Sequence, residues 1–275
     1  MRIVSVVLSV SVVCSALAQR IYQAQPTDDV WVYSFAFNPG TTPVLRAWGD
    51  GVTSVSDQAP PGESHSYTYA KWTLAGVRAG VIYQVLSAQI TVVQTQPPGY
   101  TRESGEQNPL EARDLSSTNW SEATWQFNNA ATVVPGNILF GEGTMENYRL
   151  DAPFSIPIII NVAQFEPYFN AAISQNNGVL GLALTSRLNP EGAGAQNIYR
   201  FYSRNDTGGR GPVLRVVYRV AGDTTGDRCV NSEDLLAVLF NFGSGDPQAD
   251  QNRDGVVDSA DLLFVLFYLG NGCGD

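Results

Sequence analysis

The chain has 275 residues, with 16 Lys or Arg against 26 Asp or Glu and a formal net charge of −10. That length accommodates one large domain and a small one, each with its own core. An acid surplus of this kind excludes nucleic acid as a partner, because such binding depends on a basic footprint.

The first residues read as a secretory signal. Arg2 supplies the charge, residues 3–13 the apolar stretch, and Ala16-Leu17-Ala18 the small residues before cleavage ahead of Gln19. The run is shorter than the roughly 20 residues of a membrane span, and no other stretch reads as one. Cys14 raises a lipoprotein alternative, but Val13 is the wrong residue to precede a lipidated cysteine. The expected organisation is a signal at 1–18, a large domain at 19–221 and a small domain at 222–275, in a secreted or cell-surface protein.

Residues 20–220 read as all-β. Trp31, Tyr33, Phe35 and Phe37 alternate with smaller residues, a period-two strand with an aromatic face. Further β-rich runs are expected at 81–86, 89–94, 154–162, 179–185, 198–203 and 213–220. Turn signals separate them: Asn38-Pro39-Gly40, Pro60-Pro61-Gly62, Pro97-Pro98-Gly99, Pro135-Gly136, Asn176-Asn177-Gly178 and residues 208–212. Many short strands without helices between them argue a sandwich or jelly roll. Residues 164–174, interrupted by Pro167, read either as a short helix or as an irregular crossover.

No catalytic constellation emerges from this domain. The single histidine, His65, lies in a polar stretch and reads as a solvated loop residue. No nucleophile elbow, phosphate-cradling loop or zinc-protease helix is present. Two carboxylates suffice for glycoside hydrolysis, yet no spacing singles out a pair among Glu103, Glu106, Glu111, Glu122, Glu142, Glu146 and Glu166. Sugar binding needs aromatic faces in solvent. Trp48, Tyr100 and Tyr148 stand beside glycine or charged residues in expected loops and are the candidates, whereas Trp31, Trp72, Trp120 and Trp125 read as core.

Several segments resemble the DNRLRE-type β-sandwich domains, some of which are carbohydrate-binding modules. They are Asp28-Asp29-Val30-Trp31-Val32-Tyr33, the run 38–49 with Arg46 and Trp48, Leu86-Ser87-Ala88-Gln89-Ile90, the tryptophan-rich 120–129, and the closing stretches 177–184, 201–204 and 212–218. Lys71-Trp72-Thr73-Leu74 departs from the family's pattern, which has a Phe-containing strand there. The resemblance implies a jelly-roll-like sandwich and a polysaccharide ligand.

The last fifty-odd residues carry one acidic pattern twice. Residues 223–234 and 250–261, offset by 27, place oxygen-bearing side chains at loop positions 1, 3, 5, 9 and 12, and each run feeds an apolar helix. That spacing wraps a chain segment around a hard cation such as calcium. This tail carries a charge of −8, leaving −2 for everything before it. Cys229 and Cys273 remain after signal cleavage and are expected to form a disulfide; zinc is disfavoured, as no histidine lies near.

The duplicated loop and helix resemble the dockerin family, with Asp234 and Asp261 at position 12 and Ser232 and Ser259 at position 10. The resemblance implies two calcium sites. The first would use Asp223, Thr225, Asp227, Asn231, Asp234 and the Cys229 carbonyl. The second would use Asp250, Asn252, Asp254, Asp258, Asp261 and the Val256 carbonyl. It also implies a cohesin-like or other surface protein as partner. Position 6 favours glycine for a sharp turn; Gly255 supplies it in the second loop and Arg228 stands there in the first, so the second site is expected to bind more tightly. The helices lack Lys and Arg and are apolar nearly all round, which implies burial or a sticky face. The whole chain is thus expected to be mainly β, a jelly-roll-like sandwich followed by a small α-helical paired-calcium-loop domain.

Overall fold

A computed structural model describes residues 19–33, 40–56, 64–193 and 197–274. The signal at 1–18, the turns at Asn38-Pro39 and Pro60-Pro61-Gly62, and the aromatic positions Phe35 and Phe37 lie outside the described residues. Contacts divide the chain into two compact units, one of residues 20–219 and one containing 220–274. Among the described residues no helix is long and apolar enough to cross a membrane.

The larger unit is mainly β, built from two antiparallel sheets in a sandwich-like arrangement. Its strands in chain order are β1 (Arg20–Ala24), β2 (Asp28–Val32), β3 (Val44–Ala47), β4 (Tyr67–Thr73), β5 (Tyr83–Gln94), β6 (Leu110–Leu115), β7 (Pro135–Glu142), β8 (Phe154–Ile160), β9 (Val179–Ser186), β10 (Tyr199–Tyr202) and β11 (Val213–Val220). One sheet runs β1-β11-β5-β10-β3, with β8 also paired to β5; the other runs β2-β4-β9-β6-β7. Isolated bridges between Trp48 and Ser66 and between Gly143 and Ile158 link β3 to β4 and β7 to β8. Both links join the sheets and so reduce the length of bare edge.

The two runs expected at 81–86 and 89–94 merge into the single twelve-residue β5. Its even positions from Ile90 to Gln94 are fully buried while the odd ones are partly exposed, so the alternation continues through the middle of the strand. Pro135-Gly136, read as a turn, opens β7 instead, where a proline is tolerated as a first strand residue. Residues 162–175 settle as a helix despite Pro167. Helix α2 (Val162–Gln175) begins at Asn161, whose Oδ1 accepts from the backbone N–H of Ala163 and Gln164. It buries Phe165, Phe169, Ala172 and Ile173 along one stripe, and that burial outweighs one missing helical hydrogen bond. The remaining helices here are short: α1 (Arg102–Gln107) and α3 (Pro190–Ala193).

Strand β4 is covered on both faces. Tyr67 and Tyr69 meet a cluster formed by Trp120, Trp125, Ala130 and Val133 of the long β6–β7 connection. Tyr69 packs edge-on to Trp125 at 5.8 Å, and its hydroxyl donates to the Val133 carbonyl at 2.9 Å. Trp31, Trp72, Trp120 and Trp125 are all buried. His65, expected in solvent, is only 6 % exposed. Its Nε2 lies 3.3 Å from Thr53 Oγ1 and 3.8 Å from an Asp50 carboxylate oxygen, and its ring sits beside Tyr67. The polar sequence around it gave no sign of this, because its polar partners lie twelve and fifteen residues upstream in the chain.

A buried acid sits where β2 meets the loop before β7. Asp29 is 1 % exposed; its Oδ2 accepts from the Arg204 N–H at 2.7 Å, while its Oδ1 has no partner. Glu122 takes the Asp29 N–H and pairs with Arg204 at 2.6 Å, and Asp28 pairs with Lys71 at 3.6 Å. Burial raises the Asp29 pKa to about 7; the Arg204 N–H and charge oppose the rise, and Glu122 and Asp28 add to it. In the unfolded chain an aspartate titrates near 4. The stability this group contributes is therefore present below pH 4 and lost as pH climbs through about 7. We expect the β unit, melted in saturating calcium, to lose about 2–4 kcal/mol across that window. Asp29→Asn should flatten the profile and melt higher than the parent at pH 8; an unchanged slope in the variant would clear Asp29 as the cause.

Candidate metal centre

The unit containing 220–274 is built from two copies of one loop–helix element. Helix α4 (Ser232–Phe240) follows the first acidic loop and α5 (Ser259–Phe267) the second. Each begins with a capping box. Asn231 and Asp258 accept from the N–H of Glu233 and Ala260, and Asp234 and Asp261 return a carboxylate oxygen to the N–H of Asn231 and Asp258 at 2.8 Å. The residues at loop positions 9 and 12 are thereby also the N-cap and N3 residues, so the helix fixes its own end of the loop.

The other carboxylates are held in the same repeated way. Asp234 Oδ1 accepts from Thr224 N–H and Thr225 N–H at 2.8 and 3.0 Å, and Asp261 Oδ1 from Gln251 and Asn252 at 2.7 and 3.0 Å. Asp223 takes the N–H groups of Gly226 and Arg228, and Asp250 those of Arg253 and Gly255. Asp227 and Asp254 take those of Cys229 and Val256. Each loop is a chain folded round its own acids, with the same donors at the same positions.

Asp223, Asp234 and Asp261 are almost wholly buried, and among the described residues no Lys, Arg or His comes within ion-pair distance of them. Asp223, Asp227 and Asp234 bring one oxygen each within 4.8 Å of one another. Burial raises the Asp223 pKa; hydrogen bonds from Gly226 and Arg228 oppose this, and the charges of Asp234 and Asp227 reinforce it. Carboxylates this close and this dry repel unless a cation neutralises them. The donor set is all oxygen, which suits calcium or another hard divalent ion rather than zinc or copper. The residues present therefore fit calcium. In the first loop Asp223, Thr225, Asp227, Asn231, Asp234 and the Cys229 carbonyl would hold such an ion. In the second the residues that would do so are Asp250, Asn252, Asp254, Asp258, Asp261 and the Val256 carbonyl.

The backbone bears on the glycine argument for ranking the two loops. Both position 4 and position 6 have positive φ: Gly226 (83°) and Arg228 (76°) in the first loop, Arg253 (67°) and Gly255 (94°) in the second. Each loop thus pairs one glycine with one arginine in the left-handed region. The glycine argument for a tighter second site cancels, and among the described residues it is the first loop that gathers three acids. A non-glycine residue in this region costs about 1–2 kcal/mol, partly recovered as unfolded-state entropy. Arg228→Gly and Arg253→Gly are each expected to raise stability in calcium by about 0.5–1 kcal/mol. A lower melting temperature in both would show that the arginine side chains contribute more than their backbones cost.

One feature was not read from the sequence. Val230 and Val257, at position 8, are fully buried and pair with the turn after the opposite helix. Val230 exchanges hydrogen bonds with Gly270 and Asn271, and Val257 with Gly243 and Ser244. A β-branched residue at position 8 of both loops was the available signal. The disulfide between Cys229 and Cys273 crosses beside the first of these pairings. The helices, apolar nearly all round in sequence, bury one stripe through Val238 and Val265 and leave another in solvent. Leu236, Leu239 and Phe240 on α4 recur as Leu263, Leu266 and Phe267 on α5, with the two phenylalanines 85 % and 80 % exposed.

The aromatic candidates for sugar stacking fare differently. Trp48 is buried between Trp31 and Tyr33, and Tyr100 is buried against Tyr199 at 4.3 Å. Burial, with neighbouring Tyr199 and Tyr148, raises the Tyr100 hydroxyl pKa well above its usual value. Neither ring offers a face to a ligand. Tyr148 is half-buried, donates to the Tyr100 carbonyl at 2.7 Å and lines an open depression with Arg149 and Phe154. Glycine and charge beside Trp48 and Tyr100 marked loops in the sequence, but long-range packing closes over them. Among the carboxylates considered for catalysis, Glu103, Glu106, Glu142 and Glu146 are exposed, whereas three others hold structural contacts. Glu111 binds Ser54, Thr185 and Arg113, Glu122 binds Arg204, and Glu166 accepts from the Val85 N–H.

Fold and site together define a two-part protein: an antiparallel β unit, and a duplicated acidic-loop and helix unit suited to hard cations. No protein-family model matches the chain, and no curated protein matches it.

Proposed function

We propose that this is a secreted, non-catalytic protein whose C-terminal unit is a dockerin-like module binding two calcium ions. In this reading the module docks a cohesin-like or other surface protein, and the β unit is a jelly-roll, DNRLRE-type sandwich serving polysaccharide binding or degradation. One observation carries the calcium reading: two loops repeat the same carboxylate hydrogen bonds position by position, and Asp223, Asp234 and Asp261 are buried with no Lys, Arg or His in ion-pair distance among the described residues. The Cys229–Cys273 disulfide is compatible with export. Docking is supported by the exposed apolar stripe repeated on α4 and α5, since soluble surfaces rarely leave two neighbouring sets of this kind bare.

Calorimetric titration of the full chain with calcium should show two sites, and a calcium-dependent pull-down with purified cohesins tests the partner. No heat above dilution would overturn the metal reading. Heat with no capture would leave calcium as a structural ion only. The burial of Trp48 and Tyr100 favours one rival, a structural or adhesive protein without a sugar ligand.

A further inference from the structure

Two adjoining hollows of the β unit, of about 330 and 460 Å³, share Lys71, Thr118 and Asn119. Each is within the size range of small-molecule sites. They lie where β4 passes the loop 118–124 and the turn that follows α2.

The wall between them is fixed. Lys71 Nζ donates to the Trp120 carbonyl and to the Thr118 carbonyl at 3.4 Å, stands 3.6 Å from Asp28, and lies 4.9 Å above the Trp120 ring. Its charge is matched and its position set from three sides. Apart from Trp120 and Val179 the rest of the lining is neutral and polar. The side chains of Asn119, Thr118, Thr124, Gln175, Asn176 and Asn177 face these hollows, and among the described residues none of them forms a hydrogen bond to protein.

We propose that this double hollow is a binding site for an uncharged saccharide. The inference rests on the carbohydrate-binding reading of the β unit and gives that reading a location away from Trp48 and Tyr100. Carboxamides present paired donors and acceptors, and hydroxyls serve as either. That is the complement of adjacent sugar hydroxyls. An anionic ligand gains little, because Lys71 is already paired and Asp28 would repel it; a cation meets Lys71. Neutral, hydroxyl-rich chains suit both hollows at once.

The test is affinity electrophoresis of the full, calcium-loaded chain in gels containing mixed-linkage β-glucan, galactomannan or alginate. The parent should be retarded by a neutral polymer and not by alginate. An Asn119→Ala/Asn176→Ala variant, changed only at exposed side chains, should bind about tenfold more weakly, as two lost neutral hydrogen bonds imply, with an unchanged melting temperature. Equal retardation of parent and variant on the neutral polymers would overturn this site and leave the carbohydrate-binding reading standing. Retardation by alginate alone would overturn the neutral-ligand class. No retardation of the parent by any polymer would overturn both.

Discussion

Asp234→Asn is expected to weaken calcium binding to the first loop at least a hundredfold, yet to stabilise the C-terminal unit when calcium is chelated. The two effects have opposite signs because the residue has two roles. Its carboxylate accepts from the backbone of Thr224, Thr225 and Asn231, and an amide oxygen can keep part of that bonding. Its charge, buried close to Asp223 and Asp227, is a liability without a cation and the chief attraction with one. At a calcium concentration 100 times the dissociation constant, each site adds about 2.7 kcal/mol of stability. The parent should therefore melt markedly higher in calcium than in chelator, while the variant shows about half that gain. Asp234→Ala, which removes the acceptor as well, should be destabilised in both conditions by about 2–3 kcal/mol. Identical melting of the parent in calcium and in chelator would remove the metal from the account altogether.

Reduction of the Cys229–Cys273 bond, or its replacement by Cys229→Ser/Cys273→Ser, should cost about 4 kcal/mol for its sequence separation of 44. In a unit of this size that is a fall of more than about 10 °C in melting temperature. Cys273 is exposed, so mild reductant reaches the bond without prior unfolding. The bond reinforces a clasp that also contains the Val230 N–H to Asn271 carbonyl hydrogen bond at 2.9 Å and the Asn271 Nδ2 to Ala221 carbonyl bond at 3.0 Å. Because Cys229 supplies position 7 of the first loop, reduction should weaken the first calcium site more than the second. Equal loss at both sites would assign the disulfide a global role only, and no change in melting would mean that the hydrogen-bonded clasp suffices alone.

The two units differ in how far their features could be read along the chain. In the acidic loops, donor and acceptor lie within about a dozen residues of one another, so spacing alone placed Asp223, Asp234, Asp250 and Asp261 together. Even there the left-handed turn at position 4 was missed. Gly226 marks it in one loop but Arg253 hides it in the other, and only the backbone shows that the two are equivalent. In the β unit, β-rich runs disclosed β8, β9, β10 and β11 with small errors at their ends, and β5 as two pieces. They could not disclose that 162–175 stays helical through Pro167, since the stabilising contacts of Phe165 and Phe169 come from distant strands.

By itself, the sequence determined the duplicated acidic loops, the cysteine pair and the β character of the large unit, all of which depend on local spacing or on composition. Only the tertiary structure decided which aromatic rings face solvent, that His65 and Asp29 are buried, and that free carboxamides converge around Lys71. Exposure is a property of neighbours far apart in the chain, and no local pattern near Trp48 or Tyr100 encodes what packs over them.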